Sequence, residues 1–285
     1  MVPAGQNENA IGGGGFAASA PVVMGILNVT PDSFSDGGEF TGVEAALARA
    51  RQMLEEGAGI IDIGGESTRP GSDPVASEEE IERVVPVIRA ILDERPDTAI
   101  SVDTYHAATA EAALDAGARI INDISALRSD ERMPKVVSRA GCPVVLMHML
   151  GEPKTMQQDP RYDDVVSEVR EFLSERAEAA VSAGVDPANV ILDPGIGFGK
   201  SVEHNLSLIE NLDAIADLGY PVLFGASRKR FIGSVSGIDD ASERVFGTVA
   251  TSVLAYERGA SIFRVHDVRA NREALEVAAA VSNAS

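Results

Sequence analysis

There is a single cysteine in this chain, Cys142, and no tryptophan. One thiol cannot form an intrachain disulfide or a cysteine-rich zinc site. Cys142 stands before Pro143 and reads as a small buried apolar residue. Positive charge is also scarce. Lys and Arg total 24 against 44 Asp and Glu, a net charge of −20. Only four lysines occur: Lys135, Lys154, Lys200 and Lys229. A surface of that sign repels nucleic-acid backbones and anionic membranes, so neither is an expected partner. Acid-rich, lysine-poor surfaces suit a salty cytoplasm, where counterions screen self-repulsion. A halophilic setting is one reading of this composition, and an ordinary acidic protein is the other. No apolar run reaches about 18 residues, so no membrane span is expected. The N-terminus lacks a charged segment followed by an apolar one, so no secretory leader is expected and a cytoplasmic location is.

What the chain does have is a repeated unit. Residues 1–19 are polar and glycine-rich, with Gly12 to Gly15 in a row, and read as a disordered tail. From Pro21 a pattern recurs: a short apolar run, a loop rich in Gly, Asp or Ser, then an amphipathic stretch. The apolar runs cover 22–27, 60–63, 99–102, 120–124, 143–147, 190–192, 222–224 and 262–265. They are short, continuous and rich in β-branched residues, as strands buried on both faces are. Helices are expected between them, for example over 43–56, 78–92, 107–116, 163–183 and 242–258. Gly57, Gly117, Gly141, Gly184, Gly219 and Gly259 stand just before a strand and read as helix C-caps. Eight such βα units over residues 20–285 predict a (β/α)8 barrel. An open doubly wound sheet is the runner-up, weakened because no G-x-G-x-x-G follows an early strand.

In such barrels the chemistry sits at the C-terminal strand ends. Those ends carry Asn28, Asp62, Asp103, Asn122, Met147 with His148, Asp193, Ser227 with Lys229, and Arg264 with His266. One Asp after a strand is usually a helix cap or turn residue. Polar groups at nearly every strand end, pointing into one apolar mouth, need a polar ligand to satisfy them. By sign they sort into two halves. Asp62, Asp103, Asn122 and Asp193 supply acceptors, which suit a neutral heterocycle rich in N–H groups. Lys229, Arg264 and His266 supply cations from strands seven and eight, where phosphate sites of these barrels often lie. Four other readings are plainer. His148 reads as a hydrogen-bonded rim residue, since no second ligand stands at metal spacing. His106 and His204 read as surface or cap residues at helix starts. Lys200 does not complete a P-loop. Asp123 reads as structural.

The strand-end motifs resemble those of the dihydropteroate synthase family. The segment 24–38, from Met24-Gly25-Ile26-Leu27-Asn28 to Asp36-Gly37-Gly38, is similar to its first signature. The segment 62–71, with Glu66-Ser67-Thr68-Arg69-Pro70, is similar to its second. Ser101-Val102-Asp103-Thr104, Ile121-Asn122-Asp123, Asp193-Pro194-Gly195, Ser227-Arg228-Lys229 and Arg264-Val265-His266 follow in family order. The resemblance implies a pterin-binding barrel that joins a dihydropterin diphosphate to 4-aminobenzoate with loss of pyrophosphate, a transfer step of folate biosynthesis. It implies pterin contacts from Asp62, Asp103, Asn122, Met147, Asp193, Lys229 and Arg264. It implies that Asn28, Arg69, Arg264 and His266 hold the diphosphate, and that Asn28 is a ligand of Mg2+. Thr68, Pro70, Phe198 and Ser227 would shape the 4-aminobenzoate pocket, and Asp36 would help to close the site. It also implies a homodimer. The last helices, 244–258 and 271–281, carry Ala and Val at helical spacing, and only an excess of apolar outer surface would point to a pair. Two alternatives stand beside the synthase: a pterin-dependent methyltransferase of the same barrel type, which needs no diphosphate grip, and a non-catalytic pterin-binding protein.

Overall fold

A computed structural model describes residues 20–30, 39–66, 75–151 and 155–284. Strands and helices alternate through them in the order β1 (Val22–Asn28), α1 (Glu39–Glu55), β2 (Ile60–Gly64), α2 (Ser77–Glu94), β3 (Ile100–Asp103), α3 (Ala107–Asp115), β4 (Ile120–Asp123), α4 (Met133–Ala140), β5 (Val144–Met147), α5 (Val165–Ser182), β6 (Val190–Asp193), α6 (Val202–Glu210), α7 (Asp213–Ala216), β7 (Val222–Phe224), α8 (Arg230–Ser236), α9 (Val245–Glu257), β8 (Ala260–Val265) and α10 (Val268–Ser282). Every strand pairs in parallel with its neighbour in sequence, and β1 pairs with β8, so the sheet closes into the expected barrel. All six C-cap glycines have positive φ, from 62° at Gly141 to 108° at Gly117.

Strand alternation builds two apolar layers. Outward residues such as Val23, Leu27, Ile61, Ile121 and Phe263 pack under the helices in the larger core. Inward residues form a separate cluster that plugs the barrel: Val22, Met24, Ile60, Ile120, Val145, Ile191, Leu223 and Ile262, with Ala99 against them. The period of two then dictates what stands above the plug. Two residues beyond Ile60 is Asp62, beyond Ile120 is Asn122, beyond Val145 is Met147, beyond Ile191 is Asp193, and beyond Ile262 is Arg264. The cross-strand register Asp103↔Asn122 and Met147↔Asp193 keeps these positions side by side. The polar residues are therefore one ring of inward positions resting on an apolar floor. Four strands, β1, β2, β3 and β6, run one residue past the apolar runs because the chain continues in extended form into this ring.

Candidate active site

Two strands bring their carboxylates onto Arg264, and a third braces one of them. Its Nε donates to Asp62 Oδ2 at 2.6 Å and its Nη2 donates to Asp103 Oδ2 at 2.6 Å. Asn122 Nδ2 donates to the same Asp62 oxygen at 3.2 Å. Strand by strand, Arg264 belongs with the cations of the phosphate half. The closed barrel instead sets it between two buried carboxylates, which need a counter-charge once they leave water. The two halves of the site therefore interlock. Burial pushes the Asp103 carboxyl up to about 7 against the pull of Arg264, and the neighbouring Asp62 adds to the rise. Burial also works against the guanidinium charge, but Asp62 and Asp103 outweigh it and hold Arg264 protonated beyond its usual range. Asp62 Oδ1 and Ser101 Oγ, on facing positions of β2 and β3, are buried with no hydrogen-bond partner. A buried acceptor of this kind is satisfied when a ligand brings an N–H to it.

A second cluster lies at the ends of β6 and β7. Asp193 Oδ1 accepts from the Gly195 N–H at 2.7 Å. Burial raises the Asp193 carboxyl, while the Lys229 ammonium pulls it down. Burial lowers Lys229 to about 7, with Asp193 opposing. Lys229 Nζ donates to the Ile196 carbonyl and lies 4.3 Å from the centre of the Phe198 ring, a cation–π geometry. Gly197 leaves room for this: its φ is +81°, and a Cβ there would stand 2.7 Å from Lys229 Cδ. Met147 is buried in an apolar group with Ile124, Met149 and Met156, against which Phe198 and Tyr105 pack. The site thus has a polar floor and one apolar wall.

The cationic side is built at the ends of β7 and β8. The His266 backbone N–H donates to Ser227 Oγ at 3.1 Å, and the same oxygen lies 3.0 Å from His266 Nδ1. Arg49 Nη2 fixes the His266 carbonyl at 2.6 Å. Arg228 makes a two-point ion pair with Asp267, at 2.9 and 2.6 Å. Outside this corner a cavity of about 600 Å³ opens, lined by Arg49, His266, Asp267 and Arg269 among others. Asn28 ends β1, and the register Asn28↔Gly64↔Asp103 sets it and Asp103 on either side of Gly64.

Among the described residues no group of three or more His, Cys, Asp or Glu could hold a metal ion. Magnesium does not require one, since it keeps several waters and takes oxygens from a bound phosphate group. The Asn28 amide oxygen beside the cationic corner fits that limited role. Asp36, Thr68, Arg69 and Pro70 lie outside the described residues.

One histidine differs from expectation. His148 is not on the rim: it is 5% exposed, and its Nδ1 lies 2.9 Å from Lys200 Nζ. The chain after β5 turns inward under the β6 loop and takes the imidazole with it. His106 is a cap residue as expected, the N-cap of α3, and is half-buried with Nδ1 3.1 Å from the buried Glu80 carboxylate. His204 is the cap residue expected, at N3 of a capping box with Ser201. Asp123 is structural as read: its carboxylate accepts from the Ser125 and Leu127 N–H groups and pins a turn in which Ala126 and Leu127 both have positive φ. Sequence reasoning missed the Lys200–His148 and Arg228–Asp267 pairs. The one signal for Lys200 was its rarity, a lysine among four, placed directly after a glycine-rich turn.

A family model described as "Pterin binding enzyme" matches residues 24–266. The dihydropteroate synthase of Haemophilus influenzae is 48% identical over 266 residues, which cover 93% of this chain and 96% of that one. A solved structure of the Xanthomonas albilineans dihydropteroate synthase with 4-aminobenzoic acid is 50% identical, covers 93% of this chain and 94% of its own, and superposes with a TM-score of 0.87. Another from that organism, in complex with 7,8-dihydropteroate, has 46% identity, the same coverage and a TM-score of 0.83.

Proposed function

The chain belongs to the pterin-binding enzymes and, within them, to the dihydropteroate synthase family, and from that footing we propose how its barrel mouth works. The reaction joins (7,8-dihydropterin-6-yl)methyl diphosphate to 4-aminobenzoate, giving 7,8-dihydropteroate and pyrophosphate. The C–O bond breaks first and its electron pair leaves with pyrophosphate. The methylene cation that remains is delocalised into the pterin ring. The arylamine lone pair then forms the new C–N bond, and the amine proton departs to solvent late in the step.

The observation that carries this reading is the pairing of carboxylates and cations on one floor. Asp193 accepts from the pterin's 2-amino and ring N–H groups, a bidentate match. Asp62 and Asn122 take further edges of the ring, and Lys229 meets its oxygen and nitrogen acceptors. Met147 and Arg264 flank the ring faces. Asp103 is the carboxylate that stabilises the developing cation. Arg264 keeps Nη1 for the departing diphosphate while its other nitrogens hold Asp62 and Asp103. His266, Asn28 and Arg69 complete that grip, and Asp36 helps to close the site. Magnesium, when bound, neutralises charge on the leaving group, with Asn28 as its protein ligand. Phe198 and Ser227, with Thr68 and Pro70, form the 4-aminobenzoate pocket. Release of pyrophosphate from the dihydropterin diphosphate should depend on both 4-aminobenzoate and Mg2+, and EDTA should stop it. Release that ignores the amine defeats this reading, and no release leaves the non-catalytic one.

The outer surface supports two further readings. α9 and α10 pack together and leave Phe246 87% exposed, with Leu254, Val277 and Val281 also in solvent. That apolar excess supports a homodimer through this face. The acidic surface supports folding in a salty cytoplasm, with the barrel of residues 20–285 preceded by a tail. Among the described residues, no helix is long and apolar enough to cross a membrane. Melting temperature and sedimentation mass followed from low salt to molar KCl test both readings. Stability should rise with salt at a mass of two chains. Equal stability throughout removes the halophilic reading, and a single-chain mass removes the dimer.

A further inference from the structure

We propose that Lys200 and His148 form a buried strut that positions Phe198, so that Lys200 governs recognition of the arylamine without touching either substrate. Lys200 is 3% exposed and His148 is 5% exposed. Lys200 Nζ reaches His148 Nδ1 at 2.9 Å and donates to the Phe198 carbonyl at 3.0 Å. The imidazole is itself fixed, edge-on to Phe172 with ring centres 4.9 Å apart and 6.1 Å from Tyr162. The loop between β6 and α6 lies flush on the chain leaving β5. Gly195 has φ +66°, and a Cβ there would stand 1.8 Å from the His148 carbonyl oxygen. Tyr162 ties the far end of the loop by donating to the Gly199 carbonyl at 2.9 Å.

The protonation states agree with this role. Burial lowers His148 to about 2, with Lys200 and Arg128 adding to the effect. The ring is therefore neutral and offers a lone pair at Nδ1. Burial lowers Lys200 well below its usual value, and the Asp193 charge opposes that shift. A side chain with several donors and two fixed acceptors is a rigid connector. The peptide it holds belongs to Phe198, whose ring lies beneath the Lys229 ammonium. Displacement of that ring would disturb the wall of the amine pocket more than the Asp62–Arg264–Asp103 floor.

This inference rests on the assignment of Phe198 to the 4-aminobenzoate pocket. Lys200→Met removes both donors and Lys200→Gln keeps a donor group without charge. KM for 4-aminobenzoate should rise about 10-fold or more in the Met variant, the loss expected from one buried hydrogen bond. The Kd of the dihydropterin diphosphate, measured by calorimetry without the amine, should change by less than about 3-fold. The Gln variant should recover most of the KM. If the Met variant does not fold, Tyr162→Phe decides, because it removes the neighbouring tie to the same loop and should raise KM for the amine in the same selective way. An unchanged KM, an equal loss for both substrates, or a Gln variant as impaired as Met overturns the strut. Wild-type turnover measured alongside separates this failure from failure of the proposed function, since only the latter abolishes amine-dependent pyrophosphate release.

Discussion

An Arg264→Leu variant is expected to lose amine-dependent pyrophosphate release by about a thousandfold or more, and to be less stable by roughly 3 kcal/mol. Both effects come from one side chain with two duties. The guanidinium holds Asp62 and Asp103 at 2.6 Å each, and removing it leaves two carboxylates facing each other in a dry floor. It also takes away the cation proposed to meet the leaving diphosphate. The pH dependence separates the two duties. Asp103 is already raised to about 7 by burial, and without Arg264 it must rise further. The folded state then binds more protons than the unfolded one between the ordinary carboxylate range and that raised value. Stability is therefore retained at low pH and lost as pH rises through the window, and the window widens in the variant. Thermal melts between pH 5 and 9, run beside pyrophosphate assays, check this. A variant that releases pyrophosphate within tenfold of wild type would remove Arg264 from the mechanism.

The second large effect is expected from Asp193→Asn. The amide oxygen can still accept from Gly195 N–H, so the loop after β6 should keep its course. What changes is the face toward the ligand. A carboxylate that accepts two N–H groups becomes an amide that brings its own donor against them, and the Lys229 ammonium loses its counter-charge. Affinity for the pterin substrate should fall by roughly 100-fold or more, with the melting temperature nearly unchanged. In the wild-type enzyme kcat/KM for that substrate should describe a narrow bell near pH 7. The acid limb falls as Asp103 is protonated, and the alkaline limb falls as Lys229 loses its proton, both near 7. Asp193→Asn should move the alkaline limb to lower pH, because the charge that held the lysine protonated is gone. Unchanged pterin affinity would place the heterocycle elsewhere.

Much of this was legible before any coordinates. Eight β-branched runs gave eight strands, and glycines before them gave the αβ turns. Polar residues at nearly every strand end gave the ring at the mouth. These are local patterns, set by the periods of strand and helix, and they survive without knowledge of what faces what. The partnerships did not survive. Arg264 and Asp62 are 202 residues apart, and Lys200 and His148 are 52 apart. Their contacts exist because the sheet closes and because the β6 loop lies on the β5 exit. Sequence position sorted Arg264 with phosphate-binding cations, whereas the desolvation of two carboxylates decided where it went. His148 looked like a rim residue for the same reason, since nothing local signals that the chain beyond β5 turns inward.

The apolar plug beneath the ring has a kinetic consequence. Val22, Met24, Ile60, Ile120, Val145, Ile191, Leu223 and Ile262 fill the barrel below the carboxylates, so every molecule must come and go by one door. In a blind chamber the first guest takes the innermost seat. The pterin diphosphate, whose proposed seat is the floor, has to arrive before the amine. An early amine stands in the doorway, and too much of it should slow the enzyme by holding the entrance against its own partner.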